Sequence, residues 1–211
     1  MSWDSQIIRI SAGSINAVND TIIGGLAGIT GLSKFAGQLG KPVWLDDSQV
    51  IFSSAIGTVF GGRFRYVRLA VGSTAVVVGQ IVFWDISVAD NLYQVTTSEA
   101  GSVPGAQLRA GIVLNSGWTA GNYSFIQDVG PTFVKFRAAL STAPAGVGVA
   151  VYAAAAGAGA DNGLADTVSS VNPTTFGDVS LLNNRYIGAA IQLPTNSGLK
   201  LTNVNFMNLR G

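Results

Sequence analysis

From Arg63 to the C-terminus, apolar residues either alternate with polar ones or gather in short blocks, and Gly, Asn, Asp or Pro bounds each block. Short runs rich in Val, Ile, Phe, Tyr and Thr between such residues predict strands joined by turns. The runs are Phe64 to Val71, Ala75 to Val78, Ile81 to Trp84, Leu92 to Thr96, Leu108 to Leu114 and Tyr123 to Ile126. Phe133 to Arg137, Val147 to Tyr152, Tyr186 to Gln192 and Leu199 to Phe206 follow, with a turn expected at Val129-Gly130-Pro131. Turn signals about every 8–12 residues predict an all-β fold, an antiparallel β-barrel or sandwich.

Side-chain alternation gives individual strands a direction. Lys135 stands between Val134 and Phe136, and Lys200 between Leu199 and Leu201, so each lysine is expected to face solvent while its neighbours face the core. Ile81 to Trp84 has no polar face. Such a strand must be covered on both sides, inside the fold or by another subunit, which makes Trp84 a candidate interface residue.

Before this β-rich region the texture differs. Gly24, Gly25, Gly28, Gly31, Gly37 and Gly40 fall among Ile, Leu and Ala, a density that disfavours both helix and regular strand. Residues 1–60 are therefore expected to form a glycine-rich extended arm ordered by a partner. Residues 61–158 should form the barrel, and 159–211 C-terminal strands that complete or extend it. The stretch from Ala153 to Gly163 has no large side chain and reads as a surface loop or hinge. Arg109-Ala110-Gly111-Ile112-Val113-Leu114 and Tyr186-Ile187-Gly188-Ala189-Ala190-Ile191 echo one another, each entering a strand through X-Gly. So short an echo also arises by chance in a Gly/Ala-rich chain, and no duplication is inferred from it.

Composition narrows the chemistry. The 211 residues include no Cys and no His, which removes thiolate nucleophiles, disulfides, imidazole bases and the usual zinc ligands. Charged residues are only 11% of the chain and mean hydropathy is +0.40, which points to surface buried against other chains and so to a homo-oligomeric assembly component. Met1-Ser2-Trp3-Asp4-Ser5 lacks a basic n-region before an apolar run, and Ile22 to Leu32 and Ala75 to Trp84 fall short of the roughly 20 residues of a spanning helix. Neither a signal peptide nor a membrane partner is expected.

No motif supplies a reaction. Gly31-Leu32-Ser33-Lys34 and Gly157-Ala158-Gly159-Ala160-Asp161-Asn162 both fail the spacing of phosphate-cradling loops. Asp46-Asp47 is the only adjacent acidic pair, and neighbours on an extended strand point to opposite faces. Asp161 and Asp166 lack the calcium-loop pattern. No catalytic residue, metal site or cofactor is expected. An enzyme would need distant carboxylates such as Asp46 and Asp128 to converge in a cleft.

Binding residues are easier to nominate. Gly61-Gly62-Arg63-Phe64-Arg65-Tyr66-Val67-Arg68 concentrates three arginines among aromatics. A formal net charge of +1 argues against nucleic acid and for protein interfaces, where the guanidinium fork pairs with carboxylates. Arg63, Arg65 and Arg68 are thus interface candidates. Trp118, in the Asn115 to Gly121 loop, reads equally as a core residue or an interface anchor; with nearby Tyr123 it is a candidate too, as a protein anchor or as a platform for sugars in a carbohydrate- or receptor-binding module.

The middle third of the chain resembles the small β-rich virion proteins of tailed bacteriophages, the capsid decoration or cement proteins. The resemblance lies in Arg65-Tyr66-Val67-Arg68-Leu69 running through Gly72-Ser73 to Val78-Gly79-Gln80-Ile81-Val82, in Ala110 to Leu114, and in Ala120-Gly121-Asn122-Tyr123-Ser124-Phe125-Ile126-Gln127. It implies a noncatalytic β-barrel on the capsid exterior that binds the major capsid protein. A receptor-binding module of a tail or fibre is the alternative.

Overall fold

The computed structural model describes residues 40, 42–45, 60–74, 76–85, 93–97, 109–114, 118–154, 163–167 and 185–206. This part of the protein is all-β. Its strands are β1 (Pro42–Leu45), β2 (Gly62–Leu69), β3 (Ile81–Trp84), β4 (Gln94–Thr96), β5 (Arg109–Val113), β6 (Tyr123–Lys135), β7 (Ala150–Ala153), β8 (Ala165–Asp166), β9 (Tyr186–Ala190) and β10 (Leu199–Asn205). The run Ile81 to Trp84 forms a strand with the expected bounds, whereas Val76 to Val78 lies outside any strand. The glycine-rich stretch before Gly40 lies outside the described residues. Within the expected arm, Pro42–Leu45 pairs antiparallel with β2.

The ten strands share one hydrogen-bonded sheet in the order β1-β2-β4-β3-β5-β6-β10-β9-β7-β8, and β2 also pairs with β6. That further pairing closes β2, β4, β3, β5 and β6 into a five-stranded barrel whose one parallel contact joins β2 to β4. A parallel bridge from Phe136, just past β6, to Ala165 of β8 likewise closes the remaining strands around the second half of β6. The chain therefore builds an N-terminal and a C-terminal barrel that share one long strand. The boundary expected at residue 158 falls between β7 and β8, inside the second barrel.

Strand β6 runs 13 residues through Val129-Gly130-Pro131, where a turn was expected. A change of partners explains it. Up to Val129 the strand lies between β2 and β5, and beyond Val129 it pairs with β10. Gly130 takes φ +112° and bends the strand at the changeover. The Gln127 side-chain amide donates to the carbonyl of Pro131 at 3.1 Å and braces the bend from within.

The two barrels have the same connectivity, position by position. The first runs β2, β3, β4, β5, β6, and the second runs the end of β6, then β7, β8, β9, β10. In each, the first and third strands are parallel and the others meet antiparallel in the same order. Ile81, Val82 and Phe83 pair with Ile112, Gly111 and Arg109, and Ala150, Val151 and Tyr152 pair with Ala189, Gly188 and Tyr186. The same bulge thus leaves Ala110 unpaired in one barrel and Ile187 in the other. Turn hydrogen bonds repeat as well. Gly79 N donates to Val113 O at 2.9 Å and Gly148 N to Ala190 O at 2.7 Å, while Leu69 N donates to Asn122 O at 2.9 Å and Phe136 N to Gly198 O at 2.8 Å. The X-Gly echo in the sequence falls on β5 and β9, which occupy the same place in each barrel. The close approach of the following strand requires glycine there: a Cβ at Gly111 would lie 2.8 Å from Gln127 O, and one at Gly188 would collide with Asn203 O.

Each barrel has its own core. Val67, Leu69, Val82, Trp84, Val95, Ala110, Val113, Trp118 and Ile126 fill the first. The second holds Val134, Phe136, Val151, Ala153, Ala165, Ile187, Ala190 and Val204, together with Ile81, Phe83 and Ile112 from the outer face of the first. Strand β3 therefore sends alternate side chains into two cores. That is how a strand without a polar face is covered inside one chain, with no second subunit. Each fully buried aliphatic or aromatic side chain contributes about 1.5–3 kcal/mol relative to exposure, so this shared strand holds the barrels together.

Candidate interaction surface

The arginine-rich strand β2 is held against β6 by a buried ion cluster. Asp128 is fully buried, and its two carboxylate oxygens accept from Arg63 Nε at 2.8 Å and Arg65 Nε at 2.6 Å. Arg65 Nη1 also donates to the Gly40 carbonyl at 2.9 Å, and Arg63 Nη2 to the Phe206 carbonyl at 3.3 Å. Arg63 and Arg65 were expected at an interface; here they neutralise an interior carboxylate and tie both ends of the described chain to the barrel. Desolvating Asp128 is tolerable because two cations and good geometry compensate it. The same cluster accounts for the burial of Asp128. Asp46 lies outside the described residues.

Arg68 is placed differently. Its Nε donates to the Gly121 carbonyl at 3.0 Å, and its guanidinium lies 5.9 Å from the centroid of the Tyr123 ring. Tyr123 stacks on Tyr66 at 5.8 Å, and Tyr66 in turn meets Phe125 at 5.0 Å. Arg68 and Tyr123 thus form a half-buried cationic and aromatic rim on the N-terminal barrel. They are the members of the nominated set that reach the surface together.

Both tryptophans named as interface candidates are core residues. Trp84 is buried in the first barrel. Trp118 is 0% exposed, with Nε1 donating to the Asn122 carbonyl at 2.9 Å. The loop position left core and interface equally open, and that local hydrogen bond lets the indole fold back into the core, where its ring is covered. Trp118 therefore cannot stack on a sugar.

The second buried carboxylate, Asp166 of β8, is also held locally. It accepts from Arg137 Nη1 at 3.0 Å, from the backbone of Ser141 and Thr167 at 2.8 Å each, and from the Ser141 hydroxyl. Among the described residues, no group of three or more acidic side chains is arranged to hold a metal ion.

The outer surface carries large apolar side chains that sequence inspection did not select: Trp44, Val71, Val77, Tyr93, Val147, Tyr186, Ile191 and Leu193. Trp44 lies against Arg63, whose guanidinium is 5.9 Å from its ring centroid. The missed signal was positional. Val147-Gly148 recurs where Val78-Gly79 stands in the first barrel, and Ile191-Gln192-Leu193 continues past the end of β9 without a charge.

No protein-family model matches the chain, and a search of curated proteins found no match.

Proposed function

We propose that this chain is a noncatalytic virion structural protein, a decoration or cement protein that binds major capsid subunits on the shell exterior and stabilises the particle. The carrying observation is where its chemistry goes. The buried carboxylates Asp128 and Asp166 are paired with arginines inside the fold, while Trp44, Val71, Tyr93, Val147 and Tyr186 remain on the outside. A surface rich in large apolar and aromatic side chains with few charges suits attachment to other protein surfaces. Because many copies bind one lattice, each contact need supply little affinity. The resemblance of the Arg65 to Gln127 strands to phage cement proteins supports the capsid exterior as the location.

Cryo-electron microscopy of particles with and without the protein tests this reading. The expected result is difference density on the outer face of the capsid, with earlier thermal release of the genome from particles that lack it. Density confined to the tail, or none, overturns it.

A further inference from the structure

Among the described residues, the internal repeat defines an edge that is covered in one barrel and open in the other. In the N-terminal barrel, Gly79 (φ +81°) begins the edge leading into β3, and the C-terminal barrel grips it from both sides. Lys135 N donates to Gly79 O at 2.8 Å, and Ile81 N donates to Gly163 O at 2.6 Å. A Cβ at Gly79 would lie 2.8 Å from Lys135 N and would collide with Leu199 Cδ1. Gly148 is its counterpart in the C-terminal barrel, with the same φ of +81° and the corresponding hydrogen bond to β9, yet among the described residues nothing lies within 4 Å of a Cβ placed there. Around it Val147 is 68% exposed, Ile191 44% and Leu193 48%, whereas Leu114, the counterpart of Ile191, is 3% exposed.

The surface that grips Gly79 also has a counterpart, in a closed form: Arg68 N, the counterpart of Lys135 N, donates to the carbonyl of Tyr93, the counterpart of Gly163, at 3.0 Å. By the strand pairings, Lys135, Leu199 and Phe133 of the second barrel correspond to Arg68, Tyr123 and Tyr66 of the first. Gly163, two residues before Ala165 of β8, corresponds to Tyr93, two residues before Val95 of β4. This first cradle already accommodates a left-handed glycine at a strand edge: Gly40 (φ +75°) lies against the Tyr93 ring and its N donates to Tyr66 O at 2.8 Å.

We propose that the Gly148 edge of one copy docks on the Arg68–Tyr93–Tyr123 cradle of a second copy, taking the place of Gly40, so that the chain associates head to tail. The step between the two barrels within one chain supplies the geometry, and repeating it between chains continues the same series. A contact between different surfaces leaves one edge and one cradle unfilled on every oligomer, so growth is open-ended unless the rotation closes a ring. Each addition must displace Gly40 from Tyr66 O and Arg65 Nη1 and open the hydrogen bond from Arg68 N to Tyr93 O, so these contacts within the chain weaken the association. The inference does not depend on the virion assignment.

Sedimentation velocity across a concentration series is the first measurement. Wild-type protein should show a progressive increase in mass beyond dimer. Val147→Glu and Ile191→Glu should each lower the association constant at least about tenfold, while Val77→Glu, which changes another exposed valine on the first barrel, should leave it unchanged. Circular dichroism melts of each variant separate lost association from lost folding. Because the chain contains no cysteine, crosslinking can then assign the surfaces. Mixed Val147→Cys and Tyr93→Cys proteins should form the mixed disulfide in preference to either homodimer. A monomer at every concentration, equal association by Ile191→Glu and wild type, or preferential Val147→Cys homodimers overturns the proposal.

Discussion

At one end of the N-terminal barrel Arg65 and Asp128 meet across β2 and β6, joined by Arg63. At the same two positions of the C-terminal barrel stand Thr132 and Val204. Elsewhere in the interiors the exchanges are of volume. Trp84 on β3 corresponds to Ala153 on β7, Leu69 to Phe136, and Ala110 to Ile187. What one barrel places on its second strand, the other distributes over its first and fourth. Cores tolerate such redistribution when total volume and patterning are kept, so hydrogen-bond register and the bulge persist while the residues inside do not. The comparison separates features any barrel of this connectivity needs from those peculiar to one, and substitution tests the division.

The ion cluster is peculiar to the first barrel, and breaking it should have the largest effect. Asp128→Asn leaves two arginines around a buried amide and should cost about 3–5 kcal/mol in urea unfolding. Writing the second barrel's residues into the first, as Arg65→Thr with Asp128→Val, removes the buried charge along with its partner and should recover more than half of that loss. Arg63, whose side chain is 20% exposed, can then turn to water. If the double variant is no more stable than the single one, the barrels are less interchangeable than their register implies.

Glycine at the β5 and β9 positions is, by contrast, common to both barrels. Gly188→Ala and Gly111→Ala should both destabilise, by about 1–3 kcal/mol, since an inserted methyl forces the adjacent strand backbone to move. Gly188→Ala should cost more, because its methyl meets Asn203 O more closely than the Gly111 methyl meets Gln127 O. Equal costs would mean that the two approaches are not geometrically distinct.

Much of the fold was legible in the sequence because it rests on local signals. Ile81 to Trp84 declared itself by its apolar run, and Gly79-Gln80 and Gly121-Asn122 by turn chemistry. Val129-Gly130-Pro131 carried the same chemistry and misled, because a strand that changes partners tolerates proline and a positive-φ glycine as well as a turn does. The two-residue strand β8 offered too short a pattern to register. The repeat stayed hidden because it is conserved in pairing rather than in side chains, leaving only X-Gly visible. For the candidate surface, charge pattern alone could not separate Arg68 from Arg63 and Arg65. The partner that draws those two inward, Asp128, lies 65 and 63 residues away in sequence.

The smallest expected effect lies at a turn. Gly121 (φ +84°) precedes β6, and its counterpart before β10 is Ser197 (φ +53°), the one non-glycine with positive φ among the described residues. The turns share a hydrogen bond, Asn122 N to Thr119 O at 3.2 Å and Gly198 N to Thr195 O at 3.0 Å, so the geometry is retained while the residue suited to it is not. A side chain in the left-handed region costs about 1–2 kcal/mol, and glycine there forfeits roughly 0.5–1 kcal/mol in unfolded-state entropy. Ser197→Gly should therefore stabilise the protein by roughly 0.5 kcal/mol, about 1–2 °C in Tm for a chain of this size. The reciprocal Gly121→Ser should destabilise by a similar amount through backbone conformation alone, since a Cβ there makes only ordinary contacts, at 3.8 Å to Val71 and 3.9 Å to Arg68. The Lys135 ammonium donates to the Ser197 carbonyl at 2.9 Å, a backbone acceptor that glycine keeps. Opposite signs for the two substitutions would establish that one backbone turn serves both barrels; a loss of stability in Ser197→Gly would show that the serine side chain holds its turn by a contact the first barrel does not have.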